Sequence, residues 1–335
     1  MININPQPAR NSHISQIESI PNAPRKPWFA MLASLVLPGL GQFYNGELNR
    51  AIWLFLTFAL LSVPGLVLVA LYLPDGWMVP ALAVGLLMTI GIWIYGMWQA
   101  WHAARTKQEY RAHSWQVSGV YALLFVLCDL VALPLLTKYV REHQVEPFRI
   151  PFHSMEPSVM QGDYIFADKR YNCPGCRQGV HRGDIAIFAY PNDRSVRYIK
   201  RVIALPGDLV EYRNQQFRVN GQPLQSLHDG AAAGIYNEQI DGRNWQVRQG
   251  NAVEPAQSES RLPPLNRAAV KPAEELNLRV PDGQVFVMGD NRGVSVDSRR
   301  FGTVPLQDIL GRARQVWFSS DQANIRWARL GLVLQ

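Results

Sequence analysis

Arg197-Tyr-Ile-Lys-Arg-Val-Ile-Ala-Leu-Pro-Gly-Asp208 reads as a β-strand that runs into a Pro-Gly turn. Side chains alternate between the faces of a strand, so Lys200 shares its face with Val196, Tyr198, Val202 and Ala204, and Arg201 shares the other with Arg197. A lysine among apolar neighbours loses hydration of its charged form, which lowers its pKa and leaves a neutral amine able to act as a base. A lysine that lays its stem on the sheet and keeps its head in water meets the same spacing, and this strand alone leaves both readings open.

Outward from this strand, short alternating runs recur at Asp184 to Tyr190, Gln216 to Val219 and Gln284 to Met288. They are bounded by turn signals at Gly162-Asp163, Gly183-Asp184, Gly207-Asp208, Asn220-Gly221 and Asp282-Gly283. Hairpins in a barrel-like or sandwich domain are predicted rather than βαβ units. The N-terminal part is of another kind, and the mean hydropathy of −0.08 averages two unlike halves. Three segments of about 20 residues or slightly more are long enough to span a bilayer: 51–73, 78–101 and 115–137. The apolar stretch 28–40 has only about 13 residues and ends in Pro38-Gly39-Leu40-Gly41, which fits a re-entrant or interfacial segment. The expected organisation is a tail at 1–27, a membrane module at 28–140 and a soluble domain at 141–335: N-terminal transmembrane α-helices followed by an all-β domain.

The net charge of +7 is gathered in short stretches beside the apolar segments, with no basic run of the kind that binds nucleic acid, so no nucleic-acid partner is expected and membrane lipid is. Arg105, Lys107 and Arg111 lie between the second and third spans, and the positive-inside bias makes that loop cytoplasmic. The third span then delivers the soluble domain to the extracytoplasmic side. Residues 1–27 lack an apolar core, so no cleavable signal peptide is read there. Asp129 is an ionisable group within the third span; an inward-facing polar contact to a neighbouring helix accounts for it, since no second intramembrane charge forms a relay. Three cysteines make no disulfide framework. Cys128 lies in an apolar run, and Cys173 with Cys176 and nearby His181 falls short of a four-ligand zinc site, which leaves a local disulfide or two thiols and no expected metal.

Two further patches carry chemistry. Ile150-Pro-Phe-His-Ser-Met-Glu-Pro157 sets one hydroxyl, Ser154, between two prolines; serine is a weak nucleophile that needs a base within hydrogen-bond reach. Met288-Gly-Asp-Asn-Arg-Gly-Val-Ser-Val-Asp-Ser-Arg-Arg-Phe-Gly302 is too dense in small, polar and charged residues for an ordinary surface strand. Asp297 and Arg299 are two apart and can brace a loop through charge-assisted bonds, leaving Ser295 to a nearby polar group; a turn-rich loop with a surface ion pair reads the same way.

These three patches, in this order and after membrane spans, resemble the bacterial type I signal peptidase family. Ser154 and Met155 match its Ser-Met pair, Tyr198 to Arg201 with Leu205 to Asp208 match its lysine strand and turn, and Gly289 to Gly302 matches every specified position of Gly-Asp-Asn-Arg-x-x-Ser-x-Asp-Ser-Arg-x-x-Gly. The resemblance implies a β-rich catalytic core carrying an inserted second β subdomain, placed at 211–278, and the family's final stretch at 311–319. It implies Ser154 as nucleophile and Lys200 as general base, with no cofactor. It also implies that Ser295 orients the amine while Asp297 and Arg299 hold the loop. Exported preproteins with signal peptides are the implied substrates, bound as an extended chain beside Ile150 and Tyr198, with Phe152 and Met155 also at the substrate site. In that family a serine two residues before the nucleophile donates to the oxyanion; here the position is Phe152, which has no donor, and losing one such donor typically costs on the order of 10² to 10³ in rate. A peptidase dedicated to a special substrate set, of pilin or conjugation type, and a weakly catalytic binding scaffold are the alternatives. A soluble Ser/Lys repressor conflicts with the membrane half, and a transporter leaves the soluble motifs unexplained. The module Pro38-Gly-Leu-Gly-Gln-Phe-Tyr-Asn-Gly46 lies outside the peptidase pattern and is given no chemistry.

Overall fold

The computed structural model describes residues 24–62, 65–67, 73, 77–107, 109–113, 115–172, 175–176, 179–213, 216–224, 234–249, 275–321 and 324–334. The chain divides into two units, residues 1–65 with 85–135 and residues 66–84 with 136–335.

The first unit is helical. Helix α1 (Pro27–Val36) starts on a proline, whose missing N–H is no loss at a helix start. Helix α2 (Leu40–Tyr44) and α3 (Leu48–Leu61) follow, then α4 (Met78–Thr106) and α5 (Ser118–His143). Helices α4 and α5 are long and apolar enough to cross a membrane. Helix α3, with 14 residues, is roughly 21 Å long, short of the ~30 Å hydrocarbon core. It covers the first part of the apolar run 51–73, most of whose remainder lies outside the described residues.

The Pro38–Gly46 module is a helix-packing device. Gln42 and Asn45 are fully buried and hold backbone carbonyls of α4, Gln42 Nε2 donating to Gly96 O at 2.7 Å and Asn45 Nδ2 to Ala100 O at 2.8 Å. Gly41 permits the close packing on both α1 and α4, since a Cβ there would stand 2.1 Å from Ala30 O and 2.9 Å from Ala100 Cβ. The middle of α5, Val126–Ala132, is π-helical and contains Asp129, whose Oδ2 is buried and has no hydrogen-bond partner among the described residues.

The second unit is built on a seven-stranded antiparallel sheet in the order β1-β2-β13-β3-β4-β11-β12. Its strands are β1 (Val145–Arg149), β2 (Asp163–Asp168), β3 (Ile185–Tyr190), β4 (Asp193–Ala204), β11 (Gln284–Met288), β12 (Val304–Pro305) and β13 (Ile309–Ser319). A four-stranded sheet, β10-β5-β6-β7, joins β5 (Leu209–Arg213), β6 (Gln216–Val219), β7 (Gln222–Pro223) and β10 (Leu276–Arg279), and β8 (Ile235–Ile240) pairs with β9 (Arg243–Arg248) as a separate hairpin. The β6–β7 turn is Asn220-Gly221, both at positive φ (53° and 77°), as a two-residue hairpin turn of the primed type requires.

Strand β4 is buried on both faces at its C-terminal end. Tyr198 and Val202 pack with Phe188 and Val287, while Ile203 packs on the opposite side with Val210, Trp245 and Phe286. The second sheet and the hairpin thus cover one face of the large sheet where β4 and β11 meet. Cys176 is disulfide-bonded and Cys128 is a free thiol, while Cys173 lies outside the described residues.

Candidate active site

Lys200 sits on β4 opposite Ala186 of β3, and its Nζ lies 2.8 Å from Ser154 Oγ. Both side chains are shut away from water, Lys200 4% and Ser154 7% exposed. The snorkelling alternative is thereby removed. Ser154 comes from the turn that follows β1, and two ladders fix that turn at its base: Ile150 N–H donates to Asp163 O, and Gly162 N–H donates to Ile150 O, each at 2.8 Å.

Its other side is tied to the 289–297 loop. Asn291 donates its backbone N–H to Ser154 O at 3.1 Å and its side-chain amide to His153 O at 3.1 Å. That loop is in turn braced by Asp297, which accepts from Gly289 N–H at 2.8 Å and from Arg299 Nε and Nη2, both at 2.8 Å. Burial would raise the Asp297 carboxyl, but the Arg299 guanidinium and the Gly289 N–H outweigh it and hold the group below the usual carboxylate range. Ser295 Oγ is buried beside Asp297, whose carboxyl it helps to hold down, and it makes no hydrogen bond to the Lys200 amine, so that expected bond is not formed here.

A groove of about 180 Å³ runs past the Ser154–Lys200 pair. Ile150, Phe152 and Tyr198 line it as expected, and Phe148, Arg197 and Val296 line it too. Met155 does not: fully buried, it packs in the core with Ile150 and Ile165 and anchors the turn that carries Ser154. The groove lies between two strand edges. β11 pairs with β4 only from Arg201 to Ala204, so among the described residues the stretch Asp193–Lys200 lacks a strand on that side, and β1 pairs on one side with β2. The two edges are bridged at one point by Arg197 Nη1, which donates to Glu146 Oε1 at 2.9 Å.

Several supports were not singled out from sequence. Arg201, on the face opposite Lys200, is fully buried and forms a bidentate pair with Asp290 at 2.8 and 2.7 Å, joining β4 directly to the 289–297 loop. Arg292 pairs with buried Glu238 of the hairpin. Glu156 bridges His153 (2.6 Å) and Arg248 (2.9 Å). Arg329 reaches back to Ser158 O at 2.9 Å and to the buried Asp163 carboxylate at 2.6 Å. The available signal for Arg201 and Asp290 was one charged residue in each of two motifs, Lys200-Arg201 and Asp290-Asn291-Arg292, with opposite signs to pair. Nothing local marks Arg329.

A buried amine held against a hydroxyl, beside a strand-shaped groove, is chemically suited to deprotonating that hydroxyl for attack on a peptide carbonyl. No group of three or more His, Cys, Asp or Glu side chains able to hold a metal is found among the described residues.

The model of the family "Signal peptidase, peptidase S26" matches residues 121–318. The chain is 31% identical over 224 residues to signal peptidase I of Pseudomonas fluorescens, covering 58% of this chain and 73% of that one. It is 33% identical over 226 residues to signal peptidase I of Pseudomonas aeruginosa, with the same shares. Among solved structures it is similar to a signal peptidase I from Enterococcus faecalis V583, at 27% identity and a TM-score of 0.25, covering 40% of this chain and 95% of that one.

Proposed function

The chain belongs to the signal peptidase I family, peptidase S26, and we propose that Ser154 is its nucleophile and Lys200 its general base. As a member of that family it is a serine endopeptidase that removes signal peptides from preproteins. The observation that carries the assignment is the 2.8 Å approach of Lys200 Nζ to Ser154 Oγ with both groups buried. Removing an ammonium from water disfavours its charged form, so burial favours the neutral amine that the step needs.

Ser154 Oγ attacks the scissile carbonyl as Lys200 takes its proton. The ammonium then protonates the leaving amine, and Lys200 next activates a water that hydrolyses the acyl-enzyme. The preprotein lies extended between the β1 and β4 edges, where unpaired strand edges supply main-chain hydrogen bonds and Ile150 and Tyr198 shape pockets for small side chains. Asp297 and Arg299 brace the loop that holds Ser154 through Asn291. The buried Ser295 hydroxyl, beside Asp297, is the group available to orient the amine once the proton has moved. Positive charge between α4 and α5 supports an extracytoplasmic catalytic unit. The strands from Leu209 to Arg279, outside the large sheet, support an inserted subdomain around 211–278 with a structural role.

The test is cleavage of a preprotein with an Ala-x-Ala signal site in detergent by wild type, Ser154→Ala and Lys200→Met. Both variants should be inactive while melting like wild type; activity retained in either would sink the pair. A second reading, selectivity for a dedicated substrate set, is favoured by Phe152, which lines the groove where a donor is usual in the family. Phe152→Ser should broaden the range of precursors cut, and an unchanged profile over several precursors would remove that reading.

A further inference from the structure

Helices α3 and α4 of the first unit enclose a groove of about 680 Å³ that has no part in the peptidase site. Its α3 wall is Glu47, Arg50, Trp53, Leu54 and Thr57, spaced as one helical face, and its α4 wall runs from Ile92 through Tyr95 and Trp98 to His102. The walls change character along their length. Glu47, Arg50 and His102 are polar and stand at one end, three exposed aromatics, Trp53, Tyr95 and Trp98, follow, and Leu54, Thr57 and Ile92 complete the apolar end. From Glu47 to Thr57 the groove follows roughly 15 Å of helix at 1.5 Å per residue.

Charge at the polar end selects the occupant. Both Glu47 oxygens are taken: Oε1 by Lys107 Nζ at 3.0 Å, and Oε2 by Gln99 Nε2 and Arg50 Nη1, each at 3.0 Å. One carboxylate therefore faces two cations, which leaves an excess positive charge at this end that favours an anionic group. Arg50 is 66% exposed and spends one of its five donors on Glu47, so its fork is open to a planar or tetrahedral oxyanion. A groove that is cationic at one end and apolar at the other suits an acyl chain below an anionic head. The order of polar, aromatic and apolar walls also matches the order of layers at a bilayer surface.

We propose that this groove binds one phospholipid, its phosphodiester on Arg50 at the Glu47–His102 end and one acyl chain along Leu54, Thr57 and Ile92. The site is separate from the peptidase chemistry and does not depend on it.

The test uses the full-length protein, delipidated in detergent and titrated with dioleoyl phosphatidylglycerol or with dioleoylglycerol, with bound lipid counted by native mass spectrometry. Wild type should take up one phosphatidylglycerol saturably and bind dioleoylglycerol about tenfold or more weakly, the difference expected for one charge-assisted contact. Arg50→Gln should weaken phosphatidylglycerol binding by a similar factor. Thr57→Trp, which fills the chain end, should weaken both lipids while helicity by circular dichroism and preprotein cleavage stay at wild-type levels. Equal binding of the two lipids, wild-type binding by Arg50→Gln and Thr57→Trp, or uptake that never saturates would each overturn the proposal.

Discussion

Gly289→Ala should disable the enzyme without touching a reacting group. The backbone at Gly289 is outside the left-handed region, so alanine is conformationally acceptable and the effect is one of space. A Cβ there would stand 2.1 Å from Ser295 Oγ, 2.5 Å from Ser295 Cβ and 2.5 Å from the carbonyl oxygen of Ser154. Relieving the last contact to the 3.0 Å that Cβ atoms tolerate moves the Ser154 carbonyl by about half an ångström. That carbonyl is held by Asn291 N–H, so the shift passes into the nucleophile itself. Displacement of a reacting group by about 1 Å can cost on the order of 10² in rate, and half of that points to about a tenfold loss, accompanied by about 1–3 kcal/mol of overpacking. The assay is single-turnover cleavage of a preprotein together with thermal melting. Gly179→Ala serves as the control, because a Cβ there meets nothing within 4 Å. The expected result is a kcat at least tenfold down, with KM little changed and the control at wild-type rate. A Gly289→Ala enzyme within twofold of wild type would refute the argument that this close approach sets the position of Ser154.

Arg329→Ala should lower both activity and melting temperature, because it removes the nearest cation from the buried Asp163 carboxylate, leaving it Ser319 Oγ, the Met160 N–H and Arg326 at 3.9 Å, and frees Ser158 O in the turn that carries Ser154; with those partners kept the cost should be about 1–3 kcal/mol, and unaltered melting would contradict the clamp. Asp297, Glu146 and Asp208 all have folded pKa values held below their ordinary range, by Arg299, by Lys169 and Arg197, and by Arg182, against burial that pushes them up. Their stabilisation is therefore complete above the unfolded carboxylate range and is lost as pH falls through the lower folded values, so melting temperature should stay flat from these groups down to about pH 4 and fall below it. Asp297→Asn should melt lower at pH 7 and show a shallower acid fall, and a parallel curve would show that Asp297 is not part of it.

Strand β4 was legible because period two exposes itself over a few residues: the alternation around Lys200 and the Pro-Gly stop needed no tertiary knowledge. The Gly289–Gly302 loop was legible by composition, since so many small and charged groups in one run demand partners, whereas Ser154 stood out only through its resemblance to the family's Ser-Met pair. Their partners were not legible. Arg201 and Asp290 are 89 positions apart, and Arg329 is 166 from Asp163, and no local periodicity encodes a pair that only the closed sheet brings together. Met155 looked like a substrate contact because it follows the nucleophile, whereas the tight turn directs it into the core. Apolar runs marked α4 and α5, but hydropathy could not distinguish an α-helical turn from the π-helical stretch in α5, which depends on backbone bonding rather than on side-chain polarity.

The parts that make the site reactive are spread along the chain in a fixed order. Ser154 is followed after 46 positions by Lys200, the loop that holds its carbonyl comes later still, and the arginine that clamps its turn lies 171 positions beyond Ser158. Under the proposed roles, synthesis from the N-terminus makes the nucleophile first and its base and braces last. Until the sheet closes, Ser154 is an ordinary hydroxyl on an unfinished turn, so the reactive pair is a product of the completed fold and of no shorter stretch of chain.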